Sequence, residues 1–163
     1  MSETTKFALA IGDNARMADM PLVTYGCVEG ATIGDIIKFQ LPYLNRFKGA
    51  EIEVHLSAGH CDIVRATLRN HRKQGRPIAE PEINFDSEIN AIIRSYTTLV
   101  TELRGKNATL ILYPLRNPLS YTPICADLRP LAPFYELGVR QLNGYIKGWG
   151  SKLNFATIAN VNS

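Results

Sequence analysis

The sequence predicts a single α/β domain built on a parallel sheet, and three observations carry that prediction. Short uninterrupted apolar runs recur along the chain, as buried parallel strands do. Between several of them lie longer stretches whose apolar residues repeat every three or four positions, the period of a helix with one buried face. The composition is that of an ordinary globular protein, 45% hydrophobic and 20% charged over 163 residues. A chain of this length buries roughly 70% of the surface its unfolded form exposes, so one domain spanning residues 1–163 is the simplest organisation.

The elements follow in order. "KFALAI" (6–11) is a first strand, and it ends in "GDN". "LVTYG" (22–26) is a second. "ATIGDIIKFQLPYLNRF" (31–47) carries Ile33, Ile36, Ile37, Leu41 and Leu44 at helical spacing. Thr32 followed by Asp35 resembles a capping box, and Pro42 is expected to kink or restart that helix. "EIEVHLS" (51–57) is a third strand. "DSEINAIIRSYTTLVTELRG" (86–105) is the strongest helix, with a stripe through Ile89, Ile92, Ile93, Tyr96, Leu99, Val100 and Leu103. Asp86 or Ser87 is its expected N-cap and Gly105 its expected C′ residue. "ATLILY" (108–113) is a fourth strand. A helix over 132–149 follows through Leu137, Gln141, Leu142, Tyr145, Ile146 and Trp149, and "LNFATI" (153–158) is a fifth strand. Strands joined by helical crossovers imply helices on both faces of a parallel sheet. The stretches 74–85 and 114–131 read as long loops, the second a candidate partner surface.

Composition also limits function. A net charge of +3 is too small to mark a nucleic-acid binder by itself. No apolar run approaches the roughly 18 residues a membrane span requires. The opening "MSETTKFALAIGD" is not a secretory signal. The three cysteines, Cys27, Cys61 and Cys125, follow no disulfide spacing. The expectation is an intracellular protein, cytoplasmic or nuclear, with reduced thiols and no membrane contact.

In a parallel α/β sheet, ligands bind beyond the carboxyl ends of the strands. Those ends carry Gly12-Asp13-Asn14 after the first strand, "YGCVEGAT" with Gly26 and Gly30 after the second, and Gly59-His60-Cys61-Asp62 after the third. These three blocks, in this order, resemble those of the SGNH hydrolases, the GDSL-type esterases and lipases. The likeness covers about residues 6–158. It implies a three-layer α/β/α sandwich with a five-stranded parallel sheet in the flavodoxin-like order 2-1-3-4-5. The compact spacing also looks like the SGNH-type domains of retroelement-derived proteins.

The resemblance assigns roles, and this chain departs from them. In the family, the residue after G-D is the serine nucleophile; here it is Asn14. The "GCVEGAT" glycine that donates its N–H to the oxyanion matches Gly30. In the G-x-N-D block the asparagine is the second oxyanion donor; here Cys61 replaces it. The D-x-x-H block that supplies acid and base is not found after "LNFATIANVNS", so the expectation is a chain that stops short of it. An amide is a very poor nucleophile. Losing a side-chain oxyanion donor costs about 3–4 kcal/mol, and a thiol donates too weakly to replace it. The implied reading is a degenerate, non-catalytic SGNH-like module at Asn14, Gly30 and Cys61, flanked by Asp13, Gly59, His60 and Asp62. It would bind or assemble with another protein chain, a second copy of itself or nucleic acid, and no cofactor is implied.

Two rival readings stand beside it, and one charge cluster bears on its nucleic-acid partner. Cys61 could serve as the nucleophile of an active ester hydrolase, or the acid–base segment could lie outside the chain. Cys61 then needs an imidazole within hydrogen-bond reach, but His60 is its neighbour, and adjacent residues on an extended chain point apart; His55 is the other candidate. A zinc site from Cys27, His60, Cys61 and Asp62 lacks C-x-x-C or H-x-x-x-H spacing, so no metal is expected. Finally, "RATLRNHRKQGRP" (65–77) gathers Arg65, Arg69, Arg72, Lys73 and Arg76 without an acidic residue. That cluster is a candidate phosphate-binding stripe for nucleic acid, or a solvated helix face balanced by Glu80, Glu82, Asp86 and Glu88.

Overall fold

In the computed structural model the described residues are 6–13, 16, 19–20, 24–25, 30–74, 83–106, 108–116, 132–152 and 156–161. The strands are β1 (Lys6–Gly12), β2 (Thr24–Tyr25), β3 (Glu51–Ser57), β4 (Ala108–Leu112) and β5 (Ala156–Ile158). All pair in parallel, in the order β2-β1-β3-β4-β5. This is the order expected from sequence, although β2 contributes only a two-residue pairing beside four longer strands.

Register explains the apolar runs. Leu9, Val54, Leu110 and Ala156 lie in one row across the sheet, and Ile11, Leu56, Leu112 and Ile158 in another. Both rows enter the main core, where helix residues such as Ile33, Ile63, Tyr96, Leu99, Leu142 and Ile146 meet them. Each fully buried aliphatic side chain is worth about 1.5–3 kcal/mol, which makes these rows the principal attachment of helices to sheet. The opposite face carries Ala10, His55, Ile111 and Thr157 in the intervening row. Among the described residues, a smaller cluster of Ala10, Met20 and Tyr113 covers it, with Ile111, Ala159 and Val161 packed alongside.

The helices are α1 (Ile33–Asp35), α2 (His60–Gln74), α3 (Ile83–Arg104) and α4 (Ala132–Lys152). The capping box forms as expected: the Asp35 N–H donates to Thr32 Oγ1 at 3.2 Å and the Thr32 N–H to Asp35 Oδ2 at 3.1 Å. Beyond α1 the helix widens into a π turn over Ile36–Gln40 and tightens into a 3₁₀ stretch over Leu41–Phe47. Pro42 is the cause: it has no N–H to give and its ring crowds the carbonyl four residues back.

Three boundaries differ from expectation. Helix α2 follows β3 after only Ala58 and Gly59, so "HCD" opens a helix instead of continuing an extended chain. Helix α3 starts at Ile83, which puts Asp86 in its first turn, where its charge complements the helix dipole, and not at the cap. Gly105 does not adopt the left-handed conformation expected of a C′ residue. Within α4, Gln141 faces solvent while Asn143 is half-buried. Among the described residues, no helix is long and apolar enough to cross a membrane.

Candidate functional site

The carboxyl ends of β1, β3 and β4 meet at one corner. Gly12 closes β1 at φ 116°, and a Cβ there would sit 1.8 Å from the Ser57 carbonyl oxygen. Only glycine permits that approach. It lets the Asp13 N–H donate to the Ser57 carbonyl at 2.8 Å, while Ser57 Oγ donates to Asp13 Oδ1 at 3.0 Å. Gln40, on the π turn, holds Gly12 from the other side. The Gly12 N–H donates to Gln40 Oε1 at 2.7 Å and Gln40 Nε2 donates to the Gly12 carbonyl at 3.0 Å.

His60, buried at the start of α2, ties β3 to the loop after β4. The Arg116 backbone N–H donates to His60 Nε2 at 2.9 Å. Nε2 is therefore an acceptor, which assigns the ring proton to Nδ1; Nδ1 faces Asp13 Oδ2 at 3.4 Å. The same loop is clamped by Asn143: the Leu115 N–H donates to its Oδ1 at 2.6 Å and its Nδ2 donates to the Leu115 carbonyl at 3.0 Å. A buried arginine completes the corner, with Arg16 Nε donating to the Pro114 carbonyl at 2.8 Å and Nη1 paired with Asp19 Oδ2 at 3.1 Å. The beginning of the 114–131 stretch is thus fixed, not a free surface; residues 117–131 lie outside the described residues.

Asp62 joins α2 to α1. Its Oδ2 accepts the Ile33 N–H at 3.0 Å, which brings the turn after Gly30 against the helix that begins "HCD". Burial pushes the Asp62 carboxyl up to about 6, and the neighbouring Asp13 charge adds to it. The N–H bonds from Ile33 and from Asp62 itself, and the Arg65 charge, pull it part of the way back. Cys61 is a half-buried free thiol. Burial raises its pKa above the ordinary thiol value despite a hydrogen bond with Arg65 and that residue's charge. At neutral pH it is a thiol, not a thiolate.

The residues singled out from sequence therefore divide. Asp13, Gly59, His60, Cys61 and Asp62 gather around the ends of β1 and β3. Gly30 sits in an exposed turn at φ 72° with nothing within 4 Å of where a Cβ would stand. Asn14 lies outside the described residues. His60 is turned to Arg116 and Asp13. His55 is bound to Tyr113 Oη at 2.8 Å through Nδ1 and to Glu53 Oε1 at 2.8 Å through Nε2. Neither imidazole is arranged to activate Cys61. Of the four residues weighed for zinc, Cys27 lies outside the described residues, and among those described no group of three or more His, Cys, Asp or Glu is placed to hold a metal. Arg65, Arg69, Arg72 and Lys73 do lie on one helix, α2; Arg76 lies outside the described residues.

Sequence reading missed Gln40, Arg16, Ser57 and Asn143. Gln40 left a trace, since it interrupts an otherwise apolar helix stripe and is nonetheless buried.

No protein-family model matches the sequence, and no curated protein does. Solved structures do match. Phospholipase A1 from Streptomyces albidoflavus superposes with a TM-score of 0.58 at 13% identity, covering 97% of this chain and 80% of that one. The extracellular lipase from Streptomyces rimosus gives 0.58 at 13% identity, over 97% and 81%. The fold is that of the SGNH hydrolases. The OSK domain of Drosophila Oskar matches as well, with a TM-score of 0.51 at 19% identity over 91% of this chain and 62% of that one. In this chain the described polar groups of the strand-end corner are bonded into the loops that frame it.

Proposed function

We propose that the chain is a non-hydrolytic module of the SGNH fold that works by binding or assembly, engaging another protein chain or nucleic acid. The observation that supports this most is the geometry around Ser57 and Cys61, the nucleophilic side chains described at that corner. Ser57 is buried and donates its hydroxyl to Asp13 Oδ1, the half-buried Cys61 is held in its thiol form by burial, and His60 and His55 are committed to other partners. Sequence supplies the rest: position 14 is an asparagine, and an amide does not attack an ester at a useful rate. His60 and Asp13 serve to lock β1, β3 and the β4 loop together.

The lipases of like fold make ester hydrolysis the alternative, and a turnover assay decides between the two. With p-nitrophenyl acetate and butyrate the chain should give no rate above buffer, and Cys61→Ala should leave that result unchanged. Turnover that disappears in Cys61→Ala would overturn the proposal and make Cys61 the nucleophile of an ester hydrolase.

A further inference from the structure

The π and 3₁₀ segment after α1 presents a surface that the strand-end corner does not use. Phe39 is 65% exposed and is the exposed large hydrophobic side chain among the described residues. Lys38 Nζ lies 5.1 Å from its ring centroid. One turn on, the Arg46 guanidinium lies 5.0 Å from the ring centroid of Tyr43. Tyr43 is held edge-on by Phe47 at 5.7 Å, and Phe47 rests on Phe7 of β1 at 5.1 Å. Tyr43 and Phe47 are thereby anchored to the sheet, and Phe39 stands exposed beside them. Lys48, next in the chain after Phe47, is exposed, and Lys106 Nζ reaches the segment by donating to Asn45 Oδ1 at 3.3 Å. From Ile36 to Ala50 there is no acidic residue; Glu51 is the first.

We propose that this surface is a binding platform for single-stranded nucleic acid, with Phe39 stacking on a base and Lys38, Arg46, Lys48 and Lys106 facing phosphates. Charge complementarity sets the sign of the partner. The interleaving of cations with ring faces sets its class, because a single-stranded polyanion carrying flat bases uses both at once. A lipid surface would call for a broader apolar patch than one ring. An acidic peptide would use the cations and gain little from Phe39. The proposal goes beyond the non-hydrolytic reading and does not depend on it: ester turnover with intact oligonucleotide binding would sink that reading and leave this one standing.

The test is fluorescence anisotropy of the full chain with labelled oligo(dT) and oligo(rU) of about 12 nucleotides, within the span such platforms cover. Binding should weaken with salt at a log–log slope of about −3, as expected for four phosphate contacts on a single strand. Phe39→Ala, an exposed change that leaves the core untouched, should lose about fivefold or more in affinity, and Phe39→Trp should restore it. Lys38→Glu with Arg46→Glu should abolish binding. Three results would overturn the proposal: no binding at about 50 mM salt, binding indifferent to Phe39→Ala, or binding abolished by Arg69→Ala, Arg72→Ala and Lys73→Ala while Phe39→Ala is silent. Phe39-dependent uptake onto phosphatidylserine vesicles without oligonucleotide binding would make the partner a membrane and overturn it equally.

Discussion

Replacing Gly12 by alanine should unfold the chain or cost it upwards of about 4 kcal/mol, the range of severe steric and backbone strain. The added methyl would stand 1.8 Å from the Ser57 carbonyl oxygen on a residue whose φ is 116°. Relief requires β1 and β3 to part at their ends. That breaks the 2.8 Å bond from the Asp13 N–H to Ser57 and pulls Gly12 away from both atoms of Gln40. Gly30→Ala is the control. Its φ of 72° is also left-handed, but nothing lies within 4 Å of the new methyl. The cost there should be only the conformational one, about 1–2 kcal/mol. Urea midpoints for the two variants check this. Equal, small shifts would mean that the β1–β3 approach does not hold the corner.

Asp62→Asn should stabilise the chain at pH 8 by up to about 3 kcal/mol, taking about 1.4 kcal/mol per tenfold change in proton affinity. The sign follows from linkage. Asp62 titrates near 3.8 when unfolded and at about 6 when folded, so between those values the folded state holds more protons than the unfolded one. Stability from this group is therefore fully retained below about pH 4, falls as pH rises through that window, and stays reduced above it. Asparagine keeps an oxygen to accept the Ile33 N–H and removes the buried charge. Its benefit should be large at pH 8 and near zero at pH 4. Asp35 has the opposite sign, since the Thr32 backbone and hydroxyl bonds hold its pKa below the usual value; the difference between wild type and Asp62→Asn cancels that contribution. Urea unfolding of both proteins at the two pH values checks the prediction. A variant less stable than wild type at pH 8 would show that the Asp62 charge contributes more through its bonds than its burial costs.

Much of the fold was legible because it is written in local pattern. The rows Leu9–Val54–Leu110 and Ile11–Leu56–Leu112 are the apolar runs themselves, and the Thr32–Asp35 box forms between residues three apart. Helix α2 was harder to read. Its sequence, "HCDIVRATLRNHRKQ", is largely polar and begins almost at once after β3, so no linker announces it, and its apolar residues, though gathered on one face, are few. The corner was legible only in outline. Glycines and aspartates at strand ends marked where it would be, but the groups that brace it act across the chain. Gln40 reaches Gly12 over 28 positions, Arg16 reaches Pro114 over 98, and Asn143 reaches Leu115 over 28. Each of these side chains satisfies a backbone group that becomes its neighbour only after the sheet has formed, and no periodicity encodes that meeting. The roles of His60 and His55 were hidden for the same reason, because their partners Arg116 and Tyr113 come from the far side of β4.

The central claim is that no activated nucleophile stands at the ends of β1 and β3. Its most direct test is intact-mass spectrometry of the chain after exposure to a p-nitrophenyl carbamate, which carbamoylates a serine or a cysteine poised for acyl transfer with release of p-nitrophenol. The account predicts an unmodified mass. A single stoichiometric adduct, mapped to Cys61 or to any serine of the chain and lost on denaturation before labelling, would contradict it.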